Sequence, residues 1–371
     1  MTSPLLRLGP LPPLRVSPGT LVTVLLIAVI LYPGLSGPGR APLTAVLLAV
    51  GIGAFMIVSV LVHEIAHAVV ARGFGGTVDH IALTLWGGHT QYRAERMSAT
   101  GSLLISLAGP LSNGLLAALS YGAVQLTEPG SAPGTFWSLS CWLNIALALF
   151  NLLPGLPMDG GRALEALLGG VLRSPRTGTV VTAWIGRAIA AAVVLVPLAR
   201  ALRAGDTGGV SLLTLVWAVL IAGVLWQGAS RALEGARVQG RIEALDAAAL
   251  ARPMRIVPPQ LLLAELDTAP GLDAVLILER TAAGPGILGR AYRIDPAAAA
   301  AVPAQHRAAT PVGAVAGSLG EIATLPASLR GDALVSAMLS RPAALYLVLE
   351  PDGRPRGVIT TAAVDDLLRG R

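Results

Sequence analysis

The chain has 371 residues, 54% of them apolar and 13% charged, with a mean hydropathy of +0.69 and a net charge of +6. A soluble domain carries about a quarter charged residues, so this composition excludes a wholly soluble enzyme and points to a membrane domain over residues 1–235. All 27 basic residues are arginines scattered along the chain, which argues against a nucleic-acid partner, and the single cysteine, Cys141, excludes an internal disulfide and a thiolate metal site.

Windows of about 20 apolar residues mark helices that cross a bilayer. Six are predicted, near residues 20–35, 42–72, 100–126, 136–153, 179–202 and 211–229. The first lacks a small-residue cleavage site behind it and reads as a retained span rather than a signal peptide. The second is ~46 Å long at 1.5 Å per residue, so it tilts, kinks near Gly51 to Gly53 or projects from the membrane. Loop arginines set the orientation. Arg7, Arg15, Arg72, Arg93, Arg96, Arg162, Arg173, Arg176 and Arg231 fall on one side and Arg40, Arg200 and Arg203 on the other. The positive-inside bias then places the N-terminus and the C-terminal domain in the cytoplasm, and the absence of lysine, which fits a GC-rich bacterial genome, makes the membrane a bacterial plasma membrane in this reading.

Between the second and third spans, GTVDHIALTLWGGHTQY (76–92) predicts a short β-hairpin with Gly87-Gly88 as its turn, dipping toward the membrane. It can do so where protein or water satisfies its backbone. Residues 236–251 read as a linker, and the proline-rich ARPMRIVPP (251–259) as connecting sequence. Beyond it, AVLILER (274–280), ALYLVLE (344–350) and RGVITT (356–361) are strand-like, while DALVSAML and AAVDDLLRG are helix-like. The order repeats weakly, giving a divergent first copy at 252–309, which opens with LLLAEL as a helix, and a fuller copy at 310–371.

The second span carries LVHEIAHAVV (61–70), where ionisable groups cost several kcal/mol, roughly, at a bilayer centre. His63 and His67 lie one above the other on a helix and can share one metal ion. Glu64, beside the first ligand, can reach a water on that metal. A catalytic zinc takes three protein ligands and leaves one position open. FNLLPGLPMDGGRALEALL (150–168) offers the third, since its prolines and glycines break the fourth span and Asp159 stands at the break. Capping the following helix is the alternative use of that aspartate. Asn113, Asn144 and Asn151 are amides in apolar helices, candidates for a substrate or oxyanion contact or for joining helices. Gly87 and Gly88 are turn residues or substrate contacts. His80, His89 and His306 read as ordinary loop or surface histidines.

Taken together, HEIAH, the Gly-Gly hairpin, AGPLSN (108–113) and WLNIALALFNLLPGLPMDGGR (142–162) resemble the site-2 protease family of intramembrane zinc metalloproteases. The resemblance implies one zinc ion held by His63, His67 and Asp159, with Glu64 as catalytic base. It implies a substrate that is a single-span membrane protein, such as an anti-sigma factor, cut near the cytoplasmic face. The implied fold is a polytopic α-helical membrane protein with six transmembrane helices and a membrane-associated β-hairpin, followed by an α/β pair of cystathionine-β-synthase (CBS) domains. Such pairs regulate, associate as homodimers and often bind adenine nucleotides. In GVITTAAVDD (357–366), Gly357 and Thr360 match the nucleotide segment, but Ala363 stands where a ribose-binding aspartate belongs, and the first copy lacks the pattern. The alternative function is a CBS-gated transporter or channel, which would spread ionisable groups along a path through the bilayer.

Overall fold

The computed structural model describes residues 5–6, 12–37, 39–85, 87–93, 97–203, 211–266, 271, 274–280 and 287–370, so Arg7, Trp86 and Arg96 lie outside the described residues. The chain divides into two units, Met1–Ala236 and Arg237–Arg371.

The first unit begins with strands β1 (Leu5–Leu6) and β2 (Leu14–Val16), then helices α1 (Gly19–Leu35) and α2 (Pro42–Gly73). Strands β3 (Thr77–Thr84) and β4 (Gly87–Arg93) follow. Helices α3 (Ala99–Val124), α4 (Ala132–Asn151), α5 (Asp159–Val171), α6 (Pro175–Arg203) and α7 (Leu212–Glu243) complete it, the last running on past the unit boundary. Among the described residues, α2, α3, α4, α6 and α7 are long and apolar enough to cross a membrane. The first predicted span is a helix too, but α1 has 17 residues and falls short of the others. This is a multi-pass membrane protein.

Local chemistry fixes several ends. Ser98 and Ser131 cap α3 and α4, each hydroxyl accepting from a backbone N–H of the first turn, and Pro42 opens α2. Large side chains such as Leu47, Leu115 and Trp142 face outward, while Ala45, Ala49, Ser59 and Ala68 face inward. Small residues inside and large ones outside is the packing expected when the surrounding solvent is lipid. Within α2 this puts Ser59, His63 and His67 on one buried face at four-residue spacing.

The predicted hairpin is part of a larger sheet, ordered β1-β2-β3-β4, with β2 parallel to β3 and β3 antiparallel to β4. Ile81 and Leu83 pack on Ala68, Ile65 and Leu61, which fastens the sheet to α2 beside its histidines. Gly87 and Gly88 are not turn residues. They pair with Thr84 and Leu83 as the first rungs of β4, because the chain has already reversed before them.

Nor are residues 236–251 simple connecting sequence: α7 remains helical to Glu243, and α8 occupies Ala247–Leu250. The second unit continues with β5 (Arg255–Val257), inside the stretch read as connecting sequence, then β6 (Val275–Arg280), β7 (Ile287–Ile294) and α9 (Pro296–Ala301). A second set follows: β8 (Ala316–Pro326), α10 (Gly331–Ser340), β9 (Leu345–Leu349), β10 (Pro355–Thr360) and α11 (Thr361–Arg369). Each set pairs its first two strands in parallel and its second and third antiparallel. Antiparallel β7 and β8 join the sets into one six-stranded sheet, so the repeat seen in the sequence is a repeat of topology. LLLAEL forms only a single 3₁₀ turn, Leu263–Leu266. A bridge between Arg252 and Val358 ties the chain ahead of β5 to β10. Leu276, Ala291, Ile322, Leu345 and Val358 make the core common to both sets.

Candidate metal centre and active site

His63, Glu64 and His67 are each less than 9% exposed on α2. Asp159 comes from 92 positions later. After α4 ends at Asn151, the LLPGLPM turn leads to α5, whose first residue is Asp159. A methyl group on Gly160 or Gly161 would collide with backbone of Leu152 or Gly155, so the Gly-Gly pair lets α5 fold back against the end of α4. The helix dipole of α5 favours a negative charge at this N-terminus. Met158, not Asp159, holds the N-cap position, which leaves the carboxylate free to face α2.

Three atoms converge. His63 Nε2 and His67 Nε2 are 3.0 Å apart, and Asp159 Oδ2 lies 3.0 Å from the first and 3.2 Å from the second. The outer ring nitrogens decide which protons are present. His63 Nδ1 donates to Asn113 Oδ1 at 2.6 Å, and His67 Nδ1 donates to the Ile105 carbonyl at 2.6 Å. Asn113 in turn uses its Nδ2 to reach Asn144 Oδ1 at 3.2 Å, and Asn144 Nδ2 donates to the Ser140 carbonyl at 2.9 Å. With both Nδ1 atoms protonated, both Nε2 atoms carry lone pairs. In the neutral imidazoles two lone pairs and a carboxylate oxygen then face one another, an arrangement suited to a cation.

The donor set and spacing fit zinc. Zn–N and Zn–O bonds of ~2.0–2.1 Å in a tetrahedron place ligand atoms ~3.3 Å apart, close to the spacings here. Room for the ion comes from Gly109 on α3, where a β-carbon would fall on both Nε2 atoms. Among the described residues, His63, His67 and Asp159 form the one group of three or more such side chains positioned to hold a metal ion.

Glu64 faces the same cavity, of about 220 Å³, without joining the three ligand atoms. Thr90 Oγ1 donates to Glu64 Oε2 at 2.7 Å, and Gly88 leaves space for its side chain, since a β-carbon there would stand 2.6 Å from Glu64 Cγ. Alternation along β4 puts Gly88 and Thr90 on one face, toward α2.

Of the other predicted residues, Gly88 and Asn151 line the cavity and Gly87 does not. Asn113 and Asn144 are fully buried behind His63, so neither presents an amide to a substrate; they hold the His63 ring instead. His89, Tyr92, Ser106 and Arg162 line the cavity and were not foreseen in that role. His80 stays on β3, its ring 6.4 Å from that of His89. In the second unit, Thr360 lines a separate cavity of about 460 Å³ with Arg252 and Arg293. Gly357 does not line it; a side chain there would strike the Arg252 carbonyl, so its smallness serves the bridge to β10.

The sequence profile of peptidase family M50 matches residues 125–195, which contain α4 and Asp159. Rip3 of Mycobacterium tuberculosis, named as a zinc metalloprotease, is 35% identical over 196 residues, 52% of this chain and 49% of Rip3. The chain thus spans about half the length of that relative. YwhC of Bacillus subtilis, named likewise, is 31% identical over 155 residues, which cover 33% of this chain and 71% of YwhC. The solved site-2 protease of Methanocaldococcus jannaschii is similar over 62% of this chain and 95% of its own, at 23% identity and a TM-score of 0.40. Sharing these sequences with relatives so named, the chain belongs to peptidase family M50, the family of the site-2 proteases.

Proposed function

We propose that the chain is an intramembrane zinc endopeptidase that cuts a membrane-spanning segment of another protein near the cytoplasmic face. The observation that carries this reading is the meeting of three acceptor atoms beside a buried carboxylate, on a helix apolar enough to cross a membrane. His63, His67 and Asp159 would hold the metal, and zinc bound there would supply Lewis-acid polarisation of the scissile carbonyl and acidify the attacking water.

The remaining steps belong to the chain's own side chains. Glu64, held by Thr90, takes a proton from the attacking water and passes it to the leaving amine. Asn113 and Ile105 keep both imidazoles in the metal-binding tautomer throughout. Asn151 and Gly88 line the cavity and are placed to meet the substrate backbone. Among the described residues β4 is the last strand of its sheet and runs along the same cavity, so an unwound substrate segment is received there as an added strand. Transport is the competing reading, and the gathering of His63, Glu64, His67 and Asp159 around one cavity supports hydrolysis over it.

The second unit is read as a CBS-type pair that modulates cleavage from the cytoplasm, with a homodimer through it and an adenine nucleotide as its ligand. Its cavity with Arg252, Arg293 and Thr360 supports that ligand more than Gly357 does. A single-span protein such as an anti-sigma factor is the proposed substrate.

Glu64→Gln tests the central claim. The variant keeps all three metal ligands, so purified protein is expected to retain one zinc ion per chain while cleavage of membrane-protein substrates stops. Comparison of membrane proteomes from cells with either form then identifies substrates by fragments ending within a span. Undiminished cleavage by Glu64→Gln would remove the general base from the scheme.

A further inference from the structure

The cavity of the metal centre opens into another. A second cavity, of about 420 Å³, shares Tyr92, Ser106 and Arg162 with the first, so the two meet at a neck made by these three side chains. One wall is α3, where Ala99, Ser102 and Ser106 recur on a single helical face. The other is α5, where Ala166 and Gly169 continue the face that begins at Arg162. Small residues on both helices leave the space between them.

Arg162 is exposed at this neck, and among the described residues it is the one arginine lining either cavity. No hydrogen bond or ion pair engages it among the described residues. Glu165, one turn further along α5, also lines the second cavity, but its Oε1 accepts from Thr179 Oγ1 of α6. The carboxylate of this cavity is therefore engaged, while the guanidinium beside it keeps all its donors. Those donors form a planar fork that matches a carboxylate. Two independent lengths place the neck relative to the reacting atoms. Asp159 and Arg162 both line the first cavity, and side chains three apart on a helix start ~5–6 Å from each other. Along β4, Thr90 holds Glu64 and Tyr92 stands on the same face two residues on, ~7 Å away. Each length equals about two residues of extended chain.

We infer that the second cavity receives a substrate side chain about two residues from the scissile bond, and that Arg162 makes it select aspartate or glutamate there. The inference rests on the protease reading above. A substrate laid along β4 from Thr90 to Tyr92 passes from Glu64 to the neck, and alternation turns every second side chain to the same face. Ala99, Ala166 and Gly169 receive the methylene stem, and Arg162 takes the carboxylate in a paired, charge-assisted contact. A neutral side chain shuts water away from the guanidinium without replacing its hydrogen bonds, and a lysine meets like charge. Arg162 is in this way a specificity-determining residue, set one helical turn from the aspartate of the metal centre.

The test uses a span whose cut site is located by comparing cells that carry wild type or Glu64→Gln. Aspartate, asparagine, alanine or lysine is placed in turn at each position within three residues of the cut, on either side, and kcat/KM is measured with full-length protein in detergent. At one position about two residues from the cut, wild type is expected to prefer aspartate over asparagine about tenfold, from one charge-assisted hydrogen bond. Arg162→Gln is expected to lose that preference, Arg162→Lys to keep part of it, and Arg162→Glu to turn it toward lysine. Zinc content equal to wild type marks each variant as folded. Equal cleavage of aspartate and asparagine spans by wild type at every position would overturn the inference, and so would an acid preference that persists undiminished in Arg162→Gln. If Arg162→Gln does not fold, Arg162→Lys and the wild-type comparison decide. Fragments identical in wild-type and Glu64→Gln cells are a different failure: they remove the protease reading itself, and this inference with it.

Discussion

Replacing Asn113 by leucine keeps the side-chain volume nearly constant and removes the acceptor that faces His63 Nδ1. Asn113 is fully buried, and its 2.6 Å contact is the one hydrogen bond recorded for that nitrogen among the described residues. Without it the imidazole is free to turn, or to carry its proton on Nε2, where a metal cannot bind. Loss of an outer partner of a ligating histidine costs about 10- to 100-fold in metal affinity, which is ~1.4–2.7 kcal/mol. A second cost falls on folding, because the His63 N–H and Asn144 Oδ1 are both stranded, at ~1–3 kcal/mol each. The two costs separate experimentally. Zinc affinity is read by competition with a chelator, and stability by thermal unfolding of the metal-free protein in detergent. Asn113→Asp restores the acceptor and is expected to recover most of the zinc affinity. If Asn113→Leu binds zinc within about twofold of wild type, well under the usual penalty, the amide does not set the tautomer and the reasoning fails.

Gly109→Ala keeps all three proposed ligand residues in the sequence but sets a methyl group against both His63 Nε2 and His67 Nε2, which must shift, so zinc loss exceeding that of Asn113→Leu is expected in a folded protein, read as metal content after purification. In the second unit, Tyr346 is almost fully buried, its hydroxyl accepting from the Ala343 N–H at 3.0 Å and lying 3.1 Å from the Met338 and Arg341 carbonyls. Tyr346→Phe is expected to destabilise this unit by ~1–3 kcal/mol, seen as faster hydrogen exchange at Ala343 in the full-length protein.

The three residues proposed as ligands, and Glu64 beside them, were legible because each violated its local context. Two imidazoles and a carboxylate in an apolar helix, and an aspartate in a run of helix breakers, have few structural excuses. Thr90 was hidden by the Gly-Gly pair ahead of it. Read as a turn, Gly88 gave no strand register, and without register the face shared by Gly88 and Thr90 could not be assigned. The short strands β1 and β2 have no pattern of their own, since Leu14–Val16 is a strand only because β3 lies beside it. Past Ala229, α7 escapes a hydropathy window because its sequence turns charged, although Ala, Leu, Glu and Arg sustain a helix well. Asn113 and Asn144 stood out as polar residues in spans, but which way a helix turns them is set by packing among α2, α3 and α4, which composition does not encode.

That the partner of His63 is an amide and not a carboxylate has a physical logic. A histidine on a metal commonly donates its outer N–H to a carboxylate, which raises its basicity. Here the cavity already holds Asp159 and Glu64, and a divalent cation bound there would balance two carboxylate charges. A third carboxylate at position 113 would leave a net negative charge fully buried beside spans that face lipid, and a buried charge without a partner is strongly destabilising. The Asn113–Asn144 pair fixes the same tautomer with neutral groups, each donating and accepting in one direction down the chain from His63 to Ser140. Asn113→Asp should therefore separate two properties that wild type keeps together. It is expected to hold zinc well, yet to unfold at lower temperature than wild type once the metal is removed, when nothing offsets the added charge. A metal-free aspartate variant as stable as wild type would show that charge balance does not govern the choice of residue.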